Sequence, residues 1–362
     1  MSSSPMTVPH KNLKAGDEGA LNRQPFLVRY FPVVIAVGVL LLFFLVLAHV
    51  SIGTANISLA DVVNVLTGQH VDKVTYTIVY ELRLPRALVA VAAGGMLALA
   101  GAIMQAVTRN PLADPDLTGA TSGAVFFAVL WLSRDLFYRS VAPPDAGVPV
   151  VAMVGSIITG GLVYVLSRGR DRQSNAMRMV LTGVMVAAIF RSLTSLVLLI
   201  NQNATNNILQ WIIGSLNGVT WSHWGTIWPW AVITVPVGLA SAGVANVLHL
   251  GDDIASGLGS RVERARLLLL FIAVLLTAAS VSVVGALGFL GLIAPHIARR
   301  LVGNDARRVF PLSAIIGGAI LVLADIVARA LTTTVALPVG AVMAVLGAPF
   351  LIYLLRRGMR SR

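Results

Sequence analysis

Fifteen acidic residues, six histidines and no cysteine bound the chemistry open to this chain of 362 residues. Without cysteine there is no disulfide, no thiolate nucleophile and no thiolate metal site. His10, His49, His70, His223, His249 and His296 are scattered, with no ligand-spaced pair and no H-E-x-x-H. None of the lysines, Lys11, Lys14 and Lys73, follows a glycine. The chain therefore has no G-x-x-x-x-G-K-[ST] loop with which to hydrolyse ATP. No set of residues suggests a catalytic site, so no cofactor or metal is expected and an enzyme is disfavoured. Two charged positions stand out instead. Arg191 lies within an apolar run, and Asp325 precedes Arg329 by four residues, close enough to pair on one helix face.

The elements that must carry these residues are set by composition. The chain is 57% hydrophobic and 12% charged, with mean hydropathy +0.84. Soluble domains carry about 25% charge, so the solvent here is largely lipid. Apolar runs recur at about 32–49, 87–107, 118–133, 149–167, 179–200, 225–244, 267–284, 286–302, 311–330 and 337–355. The stretch 267–298 is too long for one crossing of a core about 30 Å thick, and Gly285 and Gly288 mark its break. Only helices or closed barrels satisfy the backbone in lipid, and these runs are too long for strands. The expectation is an all-α integral membrane protein with ten transmembrane helices.

Residues 1–30 are polar and basic for too long to be a secretory signal, and read as a disordered cytoplasmic leader to a transmembrane domain over 31–362. With the N-terminus inside, 20 of the 27 lysines and arginines fall on inner segments. That distribution predicts both termini in the cytoplasm. The net charge of +12 is then a matter of topology and needs no nucleic-acid partner.

Several motifs follow in order. Arg83-Leu-Pro-Arg86 opens the second apolar run, and Gly101-Ala-Ile-Met-Gln105 leads into Arg109-Asn-Pro-Leu-Ala-Asp-Pro115 and Gly119. Gly251-Asp-Asp-Ile-Ala255 continues to Leu258-Gly259. Then come Gly288-Phe-Leu-Gly-Leu-Ile-Ala-Pro-His-Ile-Ala-Arg299, Ala324-Asp-Ile-Val-Ala-Arg329, Leu337-Pro-Val-Gly340 and Gly347-Ala-Pro-Phe350. Over about residues 35–358 this series resembles the FecCD-type permeases of bacterial ABC importers for ferric siderophores, haem and cobalamin.

The resemblance implies two inverted five-helix halves, a dimer of permeases, two cytoplasmic ABC ATPase subunits below and a substrate-binding protein above. It implies that Arg83, Arg86 and Arg329 dock that binding protein, as planar guanidinium groups suit carboxylates; alone, they would read as interface anchors. It makes about 246–263 the loop that couples to the ATPase, carried by Gly251, Asp252, Asp253, Ala255, Leu258 and Gly259. Ser256 stands where the family usually has a basic residue. It implies a gate at Asn110 and Leu112, and a second at Ala176 and Met177, closing here by apolar packing. Arg191 stands where relatives usually carry a small residue. An arginine in lipid must face protein or water, so it is expected to line the pathway and favour an anionic cargo. A structural hydrogen bond to a neighbouring helix is the plainer alternative. The implied cargo is a ferric siderophore, with haem or cobalamin as alternatives. A secondary transporter is the rival; it would need a buried acid or histidine relay, for which Asp325 is the obvious candidate.

Overall fold

A computed structural model of the chain describes residues 26–53, 57–133, 147–167, 175–200, 209, 212–251, 255, 257, 262–331 and 337–360; for a few of these only the backbone is described. The statements below concern those residues. The leader expected over 1–30 lies outside them up to residue 25, and Phe26–Arg29 forms a single helical turn.

Among the described residues every regular element is helical. The main helices are α1 Phe31–Ser51, α2 Leu59–Leu66, α3 Lys73–Thr108, α4 Ala120–Leu132, α5 Val148–Ser167 and α6 Asn175–Ile200. They continue as α7 Trp221–Ala240, α8 Ala242–His249, α9 Val262–Val284, α10 Leu290–Val302, α11 Ala306–Ala330 and α12 Val339–Arg360. Each of the ten apolar runs coincides with one of these, and α2 and α8 are the two short additions. By length and apolarity six helices can cross a membrane alone, or seven if the bent pair α7–α8 is one span. α4 is 13 residues, about 20 Å of helix, so it falls short of a full crossing.

α3 is the axis of the bundle. Asp72 caps its start, accepting hydrogen bonds from Val74 and Thr75, and Thr77–Arg83 is wound as a π-helix. Its 36 residues make about 54 Å of helix, well beyond a bilayer core. Nearly every side chain from Ala87 to Val107 is buried or half-buried, against α11, α9, α7 and α10. Such burial on all sides needs small residues where backbones meet. A Cβ on Gly94 would lie 2.9 Å from the Leu321 Cβ of α11, and one on Gly101 would strike the Gly291 backbone of α10.

The long apolar stretch breaks where glycine allows it. α9 ends at Val284, Gly285 takes φ +73 and Phe289 takes φ +70 before α10 begins. Outward faces are apolar as well: α1 exposes Leu40, Leu41, Phe43 and Phe44, and α6 exposes Leu181, Met185, Ile189 and Leu199. In water such faces would aggregate; in lipid they meet a matching solvent.

Candidate functional site

Helix α1 ends beside the start of α3 and the end of α11, and its last carbonyls need donors, because a helix leaves four unpaired there. Arginines supply them. Arg83 donates to the carbonyls of Val50 (2.8 Å) and Ser51 (2.7 Å), and Arg329 to those of His49 (3.0 Å) and Ile52 (3.1 Å). Cations at this terminus also complement the helix dipole.

At the centre lies Asp325 of α11, fully buried. Arg86 grips it through two hydrogen bonds, Nε to Oδ2 at 2.8 Å and Nη2 to Oδ1 at 2.7 Å. Arg329 Nε stands 3.4 Å from Oδ2, and His49 Nε2 stands 2.8 Å from the same oxygen. Arg86 also donates to Asn217 Oδ1 at 3.0 Å. One carboxylate thus joins α1, α3 and α11. The three arginines expected at a docking face are therefore brought together, but turned inward. Arg83 is 6% exposed, and the side chains of Arg86 and Arg329 are 15% and 17% exposed. His49 and Asn217 were missed by the sequence reading, and no local signal marks either.

At the opposite end of α3 the chain turns sharply. Arg109 takes φ +52 and donates from Nε to the carbonyl of Leu248 in α8 at 2.9 Å. Asn110 Oδ1 then accepts from the Leu112 N–H at 2.9 Å, an Asx turn that frees the chain from the helix. Asn110 is exposed and Leu112 half-buried. A 3₁₀ turn over Pro115–Thr118 follows, capped by Asp114, whose Oδ1 accepts from the Asp116 N–H. This turn packs against α4, α5, α6 and α9. Burial, then the Asp116 charge, pushes the Asp114 carboxyl up to about 7, against a hydrogen bond from the Asp116 backbone. Burial also raises Asp116, opposed by a hydrogen bond from Thr121 and by the charge of Arg191. Arg191 itself is exposed on α6. In the sequence the pair shows only as Asp-Pro-Asp beside a helix break. Ala176 and Met177 lie in the first turn of α6, with side chains outside the described set.

α8 is held at the same end. Asn246 donates to Asp305 Oδ1 at 2.7 Å and accepts from the Ala306 N–H at 2.8 Å. The expected coupling segment follows α8 directly. Gly251 takes φ +112, where a side chain would be strained, and Ala255 is fully buried, its N–H on the Gly251 carbonyl at 2.9 Å. Asp252, Asp253, Leu258 and Gly259 lie outside the described residues.

The likeness to known proteins extends over most of the chain. The model of the FecCD transport family matches residues 40–357. The Fe(3+)-citrate import system permease protein YfmD of Bacillus subtilis is 37% identical over 86% of this chain and 90% of its own length. The Fe(3+) dicitrate transport system permease protein FecC of Escherichia coli is 37% identical over 83% and 90%. The cobalamin import system permease protein BtuC of Halobacterium salinarum is 38% identical over 79% and 75%. Among solved structures, a metal-chelate type ABC transporter in an inward-facing conformation superimposes with TM-score 0.79 and 27% identity, covering 90% of this chain and 99% of that one.

Proposed function

The chain belongs to the FecCD transport family, and on that premise we propose that it is the permease subunit of an ATP-driven importer carrying a ferric siderophore across the bacterial cytoplasmic membrane. The observation that carries this reading is the continuity of the likeness: family model, curated relatives and solved structure each cover most of the chain. Relatives named for ferric citrate favour an iron chelate over cobalamin, for which another relative is named. No P-loop is present, so ATP is hydrolysed by separate ABC ATPase subunits.

The distribution of basic residues supports both termini in the cytoplasm. The Asp325 cluster is then at the outer mouth and the loop 109–119 at the inner end. Three guanidinium charges against one carboxylate leave this cluster positive. A substrate-binding protein bearing carboxylates would be steered there, and Arg86 and Arg329 retain exposed edges for it. Below, the segment about 246–263 would seat in the ATPase, with Gly251 setting its turn. Asn110 and Leu112 would form a cytoplasmic gate, Ala176 and Met177 a second that closes by apolar packing, and a second permease, identical or similar, would complete the pathway. Arg191, exposed on one chain, would line that pathway and favour an anionic chelate. Uptake of an anionic ferric chelate should then fall with Arg191→Ala and be largely kept by Arg191→Lys. Unchanged uptake in both would remove Arg191 from the pathway.

Affinity purification from native membranes in mild detergent, with mass spectrometry of what is retained, tests the reading. An ATPase and a binding protein should be recovered, and the binding protein can then be loaded with candidate chelates. Recovery of the intact chain alone would sink the coupling and docking roles and turn attention to an ion-coupled carrier.

A further inference from the structure

Two motifs noted in the sequence have no part in docking, gating or coupling as described so far: Gly101…Gln105 on α3 and Gly291…Pro295 on α10. They meet where these helices cross. Pro295 lies inside α10 and has no N–H, so the carbonyl four residues earlier, that of Gly291, loses its helical partner. The Gln105 side chain supplies one, Nε2 to Gly291 O at 2.8 Å. Gln105 is 2% exposed, and its own Oε1 finds no partner among the described residues. A buried amide with an unpaired oxygen is unfavourable in itself, so its presence there is explained by what its N–H does.

The crossing can be this close only because both positions lack a Cβ. A side chain on Gly101 would strike Gly291, and a Cβ on Gly291 would lie 2.6 Å from Pro115 Cδ. Gly291 therefore touches three things at once: the α3 backbone, the Gln105 amide and the first residue of the inner 3₁₀ turn. A proline with a freed carbonyl is a bending point of a helix, and here an external donor holds it.

We propose that Gln105 is a positioning residue, clasping a hinge at Pro295 of α10 by donating the hydrogen bond that the proline cannot, and that the inner loop follows α10 through the contact of Pro115 with Gly291. The inference rests on the importer reading for its functional meaning, but not for its geometry. When α10 bends at Pro295, the loop bearing Asn110, Leu112 and Asp114 would be displaced with it, so that the clasp sets the inner mouth's preferred state.

A mutant cycle tests this in the complete transporter. Gln105→Leu removes the donor, and Pro295→Ala restores a backbone N–H to the Gly291 carbonyl. Two quantities are read: ATP-driven uptake per ATP hydrolysed, and the thermal unfolding midpoint of the purified chain. Gln105→Leu alone should lower coupled uptake about tenfold, the scale of one buried carbonyl left unpaired, and lower the midpoint. In the Pro295→Ala background the same change should lower uptake by less than about threefold and leave the midpoint nearly unmoved. Equal losses in both backgrounds would overturn the clasp. A loss of midpoint that Pro295→Ala rescues, with uptake per ATP unchanged throughout, would overturn the positioning role. If the unaltered transporter takes up no chelate, the importer reading is what fails, and the midpoint cycle still decides the clasp.

Discussion

At neutral pH the Asp114 carboxyl stands near its midpoint, held up to about 7 by burial first and by the Asp116 charge second. Because the folded chain keeps a proton that the unfolded chain releases near pH 4, this group lowers stability as pH rises from about 4 to about 7, and no further above that. Asp114→Asn should flatten that part of the thermal stability profile measured in detergent. A profile of unchanged slope would show that Asp114 is ordinarily ionised. The Asp116 charge is one of the causes that raise Asp114, so Asp116→Ala should move the fall in stability to lower pH. The existence of this pair was legible in the sequence as Asp-Pro-Asp; its enclosure by α4, α5, α6 and α9 was not, because that enclosure is assembled from segments far along the chain.

The elements themselves were largely legible. Ten apolar runs gave ten helices, and Gly285 marked the break before α10, because helix length and glycine conformational freedom are local properties. α2 and α8 were not read: each is only eight residues, too short to stand out from its surroundings. The arginines show the other limit. Arg83, Arg86 and Arg329 were expected to face a partner, yet each is first used within the bundle. The demand comes from the unpaired carbonyls at the end of α1 and from Asp325, and the pairings span up to 280 residues, beyond the reach of any local pattern. That cluster is what pins α1 to α3 and α11. Asp325→Asn keeps the shape but leaves the surrounding guanidinium groups uncompensated. It should cost about 3–5 kcal/mol, the scale for breaking a buried pair by removing one partner. A shift of the unfolding midpoint within error of the unaltered chain would show that the carbonyls alone hold these arginines.

At the scale of the whole molecule, the sidedness of the bundle orders everything else, since outer docking and inner coupling exchange meaning if it is inverted. The lack of native cysteine makes this easy to measure. Gln69 is exposed near the Asp325 end of the bundle and Asn304 at the opposite end; on the proposed orientation Gln69→Cys should react with an impermeant maleimide in intact cells, and Asn304→Cys only after the membrane is opened. The reverse pattern would overturn the orientation. The fold class was legible from hydropathy alone because lipid permits so few backbone solutions. The crossing of α3 with α10 was not, as nothing in Gly101 or Gln105 says which helix each will meet.

The Gln105–Pro295 pair carries a consequence for how such a sequence can drift. A glutamine without its proline has a spare donor; a proline without its glutamine leaves an orphaned carbonyl. Each single change is a step down, whereas the two together return to ordinary helix. A lineage leaving this arrangement therefore has to cross a shallow valley of fitness, and residues 190 positions apart in the sequence are bound to one another's history.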